Sequence, residues 1–212
     1  MNSVPQLRFK KKIQDRTYSL LDNIRDCTLL FIGIDKGMVN VGDSFNVQTG
    51  GNVVFVFMDT NKKKYHRLNM QFIGLLIALD EKSEEFVMDI VTSDTVDLGA
   101  YPVHTTFVLE GLSVLENFEI FWHKDKALLK DKSEFRSYLH LLSDTEISAL
   151  EIIWDYPLWF VMTFSSGLIL LIERGDNLNS CTLYKHNTDT FQERKKILIE
   201  EYEGKIEIER VY

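Results

Sequence analysis

The sequence predicts an α+β fold. A mostly antiparallel sheet of meanders and hairpins carries three or four short helices, and the C-terminal half is the more mixed. Three observations point there. Short apolar or alternating runs recur along the chain, separated by clusters of Gly, Asn, Asp and Ser. Helical spacing of apolar residues shows in only a few places. No long alternation of strand and helix runs through the chain, which argues against a doubly wound nucleotide-binding fold.

The elements follow in order. Residues 14–26 carry Tyr18, Leu21 and Ile24 at spacing three, the mark of a short amphipathic helix. Leu29 to Ile32 is an apolar strand closed by Gly33. Phe45 and Val47 share one face of an alternating strand, and Thr49-Gly50-Gly51-Asn52 reads as a hairpin turn, since Gly and Asn tolerate positive φ. Val53 to Phe57 is apolar on both faces and reads as a central strand. After a turn at Asp59 to Lys62, His66, Leu68, Met70 and Phe72 share one face, while Arg67, Asn69 and Gln71 take the other.

Leu75 to Leu79 and Phe86 to Val91 flank Asp80-Glu81-Lys82-Ser83 as a further hairpin, with a helix through either apolar run as the alternative. Thr105 to Leu109 and Phe118 to Trp122 read as two strands joined through Gly111. Ser133 is placed to cap a helix bearing Phe135, Tyr138, Leu139 and Leu142, and Ser143 to Glu146 has capping-box form. A strand from Leu150 runs into Asp155-Tyr156-Pro157, and Thr182 to Tyr184 is another. A last helix, from about Thr190, puts Phe191, Ile197, Leu198 and Tyr202 on its apolar side. Gly204 stops it, and Ile206 and Ile208 alternate with charges in an edge strand.

Length and composition fit one domain, residues 1–212. The chain has 212 residues, 45% hydrophobic and 26% charged, so it buries roughly 70% of its unfolded surface. Sub-lobes 1–125 (sheet-rich) and 126–212 (mixed) would meet at the charge-rich stretch from Lys124 to Lys132. Three prolines exclude collagen-like or linker-rich designs, and 12% aromatics exclude disorder.

Charge and cysteine use bound the setting. The 32 acids against 24 bases give −8, which disfavours a nucleic-acid partner and suits a basic protein partner. Arg8, Lys10, Lys11 and Lys12 read as a solvated arm, and Lys62 to Lys64 as a charged hairpin tip. Cys27 and Cys181 lack C-x-x-C spacing and suit the reducing cytoplasm. Met1-Asn2-Ser3-Val4-Pro5 has no apolar core behind it and does not read as a secretory signal. The uncharged run from Tyr156 to Ile172 would reach about 26 Å as a helix, short of the ~30 Å hydrocarbon core. Ser165-Ser166-Gly167 splits it, so two buried strands and a tight turn are expected, with no membrane span.

Motifs for phosphate loops, nucleophile elbows and zinc clusters are missing from the sequence. Asp94 and Asp97 precede His104 by a loop-length gap and read either as an acid/base or metal cluster with it or as an ordinary acidic surface loop. Glu201-x-Glu203-x-Lys205, with Asp189, would resemble a metal-dependent nuclease ladder if it lay on a strand. His66 beside Leu68 and Met70 reads as a structural residue. The densest unusual chemistry is Trp154-Asp155-Tyr156-Pro157-Leu158-Trp159. These aromatics either plug a corner between two strands or form an interface, with Trp122 a weaker instance of the same choice.

The expectation is therefore a non-catalytic, cytoplasmic protein-binding protein, such as an immunity or anti-defence inhibitor of bacterial or phage type. Trp154, Asp155, Tyr156, Trp159 and Trp122 would carry the partner, and no cofactor or metal is expected. The alternatives are a metal-dependent hydrolase or nuclease using Asp94, Asp97, His104 or Glu203, and a small-ligand pocket lined by Phe55, Phe57 and Met70.

Overall fold

A computed structural model describes residues 4–13, 15–34, 37–41, 45–49, 52–71, 84–85, 87–95, 105–141, 147–173, 179–184 and 188–212. They form a sheet-rich α+β structure. The strands are β1 (Gln6–Lys12), β2 (Thr28–Ile34), β3 (Gly37–Val41), β4 (Phe45–Thr49), β5 (Asn52–Asp59), β6 (Lys64–Gln71), β7 (Glu84–Glu85), β8 (Val87–Ser93), β9 (Thr105–Leu129), β10 (Leu150–Phe164), β11 (Ile169–Glu173), β12 (Asn179–Tyr184) and β13 (Ile206–Arg210). The helices are α1 (Asp15–Leu21), α2 (Lys132–Phe135), which runs into a 3-10 turn (Arg136–Leu141), and α3 (Thr188–Glu201).

The spatial order is β3-β4-β12-β11-β10-β9-β2-β5-β6-β8, with β1 on β10 and β13 on β9. The ladders are antiparallel apart from those of β1, which runs parallel to β10 and β7. The strands β9 and β10 organise the rest. One edge of β9 pairs first with β2 and then with β13, and its other edge pairs with β10 from Leu115 to Leu129. The free edge of β10 likewise takes β1 first and β11 afterwards.

Three apolar clusters follow from this arrangement. The largest lies between the β2-β5-β6-β8 layer and the inner face of β9-β10-β11. It gathers Leu29, Phe55, Phe57, Leu68, Phe118, Phe160 and Leu170, with Leu21 and Ile24 from the α1 segment closing one end. Two smaller clusters cover the outer face of β9 and β10. One sits under α3 (Phe121, Trp159, Val161, Leu171, Phe191, Leu198). The other sits under α2 and its 3-10 turn (Leu7, Phe9, Phe135, Leu150, Ile152).

Several expectations hold. The β5–β6 hairpin closes around residues 60–63, with Asp59 Oδ1 accepting from the Asn61 and Lys62 N–H groups at 3.0 Å each. The uncharged run from Tyr156 to Ile172 is two buried strands joined at Ser165–Gly167, where Gly167 has φ 79°. Among the described residues no helix is long and apolar enough to cross a membrane. Gly204, at φ 78°, ends α3 as expected.

Other expectations are corrected. The basic arm is strand β1, because Leu7 and Phe9 alternate inward beneath the charges, at 0% and 8% exposure. Thr49 to Asn52 does not close a hairpin. The strand β4 pairs with β3 and β12, and β5 with β2 and β6, while Gly50 and Gly51 themselves lie outside the described residues. The two strands expected on either side of Gly111 are one strand, β9. The glycine falls where residues 109–112 drop out of register with β2. The charge-rich stretch from Lys124 lies within this paired strand, and Leu129 still faces Leu150.

The α2 N-cap is Asp131, which accepts from the Ser133 N–H at 2.9 Å, in place of Ser133. Ile197 is 46% exposed, because Phe191, Leu198 and Tyr202 already define the inward stripe of α3. Asn69 is buried at 2% exposure, so the second face of β6 is covered as well. The expected strand at residues 75–79, the capping box at 143–146, Phe72, Asp97 and His104 lie outside the described residues.

Candidate functional site

The segment Trp154 to Trp159 is not a corner. It is the middle of β10, with Leu158 as a bulge between the Pro157–Trp122 and Trp159–Phe121 pairs. Pro157, which has no N–H to give, stands where β1 has ended and β11 has not begun.

Strand alternation then sorts the expected site residues. Trp122 points inward at 8% exposure, its indole N–H donating to Glu209 Oε2 at 2.7 Å. Trp159 is outward but covered by α3, at 4% exposure, with Phe121 at 5.7 Å and the Arg194 guanidinium 5.9 Å above its ring. Trp154 and Tyr156 are half-buried on the outer face, between the α2 cluster and the α3 cluster. Asp155 alternates to the opposite face with its pair partner Lys124.

What the structure assembles around Trp154 is an aromatic row across three strands. Phe9 stacks on Trp154 at 6.2 Å and 9°, and meets Tyr138 in an edge arrangement at 6.2 Å and 63°. On the other side His123 lies 5.8 Å from Trp154, 5.4 Å from Tyr156 and 4.8 Å from Tyr202. The Tyr156 hydroxyl also meets His123 Nδ1 at 3.2 Å. Stacked and edge-on neighbours restrict how each ring can turn, so the row is organised within the fold itself. The density of aromatics in residues 154–159 signalled it. Phe9, Tyr138, His123 and Tyr202 came from elements whose adjacency no local pattern showed.

Both faces carry basic side chains, with Arg194 and Lys195 over the Trp159 and Phe121 rings on the aromatic side. Asp125 shares the aromatic side and pairs with Lys205 at 3.0 Å. Arg8, Lys124 and Lys126 alternate to the other side. Beside the row, a cavity of about 140 Å³ lies between α3 and the β10–β11 pair, lined by Leu158, Trp159, Glu173, Arg194, Glu201 and Tyr202. That is several times the roughly 30 Å³ share of one water.

Burial holds the His123 imidazole below its ordinary pKa, against the pull of Asp125 and with the push of Lys205. Burial does the same to His66. In both cases the unfolded chain binds the proton first. The stability these two imidazoles contribute is therefore complete above about pH 6.5 and is lost as pH falls below that value toward their folded pKa values. Chemical-denaturation midpoints measured from roughly pH 7 down to pH 5 are expected to decline, and His123→Asn to make that decline shallower.

The other candidates separate. Asp94 is exposed and paired with Lys64. Glu203 sits in the turn after α3, at φ 50°, so the Glu–Glu–Lys ladder has no strand beneath it. Phe55, Phe57 and Met70 are 0% exposed inside the main core cluster. His66 is buried at 3% exposure, as a structural residue would be, and the sheet brings it together with Cys27 and Asp59, which no sequence spacing indicated. Comparison with models of known protein families, with curated proteins and with solved structures finds no match to the chain.

Proposed function

We propose that this chain is a non-catalytic, cytoplasmic protein-binding protein that recognises a basic partner through the outer face of β10. The observation that carries the reading is the pair Trp154 and Tyr156, left half-exposed mid-strand between two helical covers and braced by Phe9 and His123. Rigid aromatics bury much area at small entropic cost, and they dominate binding where they sit centrally with partly protected rims. Of the two acidic residues on the wall of the adjoining cavity, Glu173 is already paired with Arg194, so a cationic side chain from the partner would meet Glu201. The formal charge of −8 favours encounter with such a partner. An immunity or anti-defence inhibitor works in this way, by contour and charge.

The test is recovery of a stoichiometric complex from the organism that encodes the chain, followed by hydroxyl-radical footprinting. The reading expects one basic protein, released by salt, whose binding protects Trp154 and Tyr156. A complex whose footprint lies elsewhere would overturn the proposed face. A partner that is acidic and insensitive to salt would overturn the electrostatic argument.

A further inference from the structure

A second group of chemistry-bearing side chains converges at the rim of the other layer. We propose that Cys27, Asp59 and His66 form a binding site for one divalent transition metal of the zinc class. The site is separate from the aromatic face and stands or falls without it.

The register builds the site. Phe57 pairs with His66 across the β5–β6 hairpin, and Asp59 lies two residues beyond Phe57 on the same face. Thr28 pairs with Met58, so Cys27, one residue earlier, comes beside Asp59. One ligand atom from each of the three residues lies within 4.8 Å of the others, and all three residues are buried. Ligands on a tetrahedral zinc stand roughly 3.5 Å apart, so small side-chain rotations close the site without moving the strands.

The histidine supplies an independent sign of a missing ligand. His66 is 3% exposed, and its Nδ1 meets Thr92 Oγ1 at 2.9 Å from the neighbouring strand. Its Nε2 is buried with no hydrogen-bond partner among the described residues. A ring nitrogen anchored on one side and bare on the other is how metal-bound imidazoles are held. A bare buried nitrogen is otherwise a standing desolvation cost.

Chemistry selects the metal. One thiolate and one carboxylate neutralise a divalent cation, with the imidazole as a neutral ligand. A sulfur–nitrogen–oxygen set suits zinc-class ions over magnesium or calcium. As a free thiol Cys27 is not a nucleophile: burial, and next to it the Asp59 charge, push it up to about 11. Metal binding replaces its proton, forming the metal–sulfur bond and releasing one H⁺ to solvent. The weak contact from Cys27 Sγ to the Asn23 carbonyl, at 3.3 Å, is given up.

Asp59 is already oriented by the Asn61 and Lys62 N–H groups. The Lys62 ammonium, 3.2 Å from Asp59 Oδ2, has a side chain 72% exposed and can turn away into solvent. Three protein ligands leave the fourth position to water, supplied from the exposed turn at Asn61 and Lys62.

The test is cobalt titration of the full chain after chelator treatment, with zinc competition. The expected result is one Co²⁺ per chain, with a near-ultraviolet sulfur-to-cobalt charge-transfer band that excess Zn²⁺ abolishes. Cys27→Ser and His66→Gln should lose the band while circular dichroism shows them folded. Thr92→Val, which only frees Nδ1, should weaken binding roughly 10-fold. The wild-type titration decides even if a variant fails to fold: no charge-transfer band there overturns the site. A band undiminished in Cys27→Ser also overturns it, by assigning the sulfur to Cys181.

Discussion

Trp159→Ala is expected to lower the unfolding free energy by about 3–5 kcal/mol, the range for removing a large aromatic from a packed site. The indole is 4% exposed and wedged among Phe121, Leu171 and Leu198 under α3. Its loss leaves a void that the sheet cannot close, because Phe121 and Val161 are fixed by ladder pairs on β9 and β10. The Arg194 guanidinium, 5.9 Å above the ring and paired with Glu173 at 3.0 Å, loses its platform as well. Urea denaturation measures the effect directly. A loss below about 1 kcal/mol would mean that α3 does not cover this face in solution.

Leu7→Ala is expected to cost about 2–5 kcal/mol, while Arg8→Ala, one residue on, should stay within roughly 0.5 kcal/mol. Leu7 is 0% exposed and pairs with Ile152, and both belong to the cluster under α2. Arg8 reaches the Gln6 side chain on the polar side. The contrast discriminates sharply, since a solvated basic arm would make both substitutions neutral.

That contrast also shows where sequence reading stops. Arg8, Lys10, Lys11 and Lys12 dominate the segment, and two inward residues are too short a pattern to announce a strand against them. Local signals were legible where the structure is local. Asp59 to Lys62 closes β5 on β6, Ser165 to Gly167 closes β10 on β11, and Gly204 ends α3. Non-local pairing was not legible. Nothing near Thr49 says that β4 joins β12 rather than β5, and nothing near Gly111 says that β9 continues, with two successive partners along one edge.

The same boundary runs through both candidate sites. The concentration of aromatics at residues 154–159 could be read from the chain. Which of them stay open could not, because the answer depends on what α3 and α2 cover. Cys27, Asp59 and His66 meet only through the combined registers of β2, β5 and β6.

The most direct test of the aromatic face as a recognition surface compares the partner affinity of wild type and Trp154→Ala by calorimetry, beside their melting curves. The half-exposed indole at the centre of the row is expected to be worth at least about 2 kcal/mol, roughly a 30-fold loss of affinity, with the folded state retained. An unchanged affinity in a variant that melts like wild type would contradict the account.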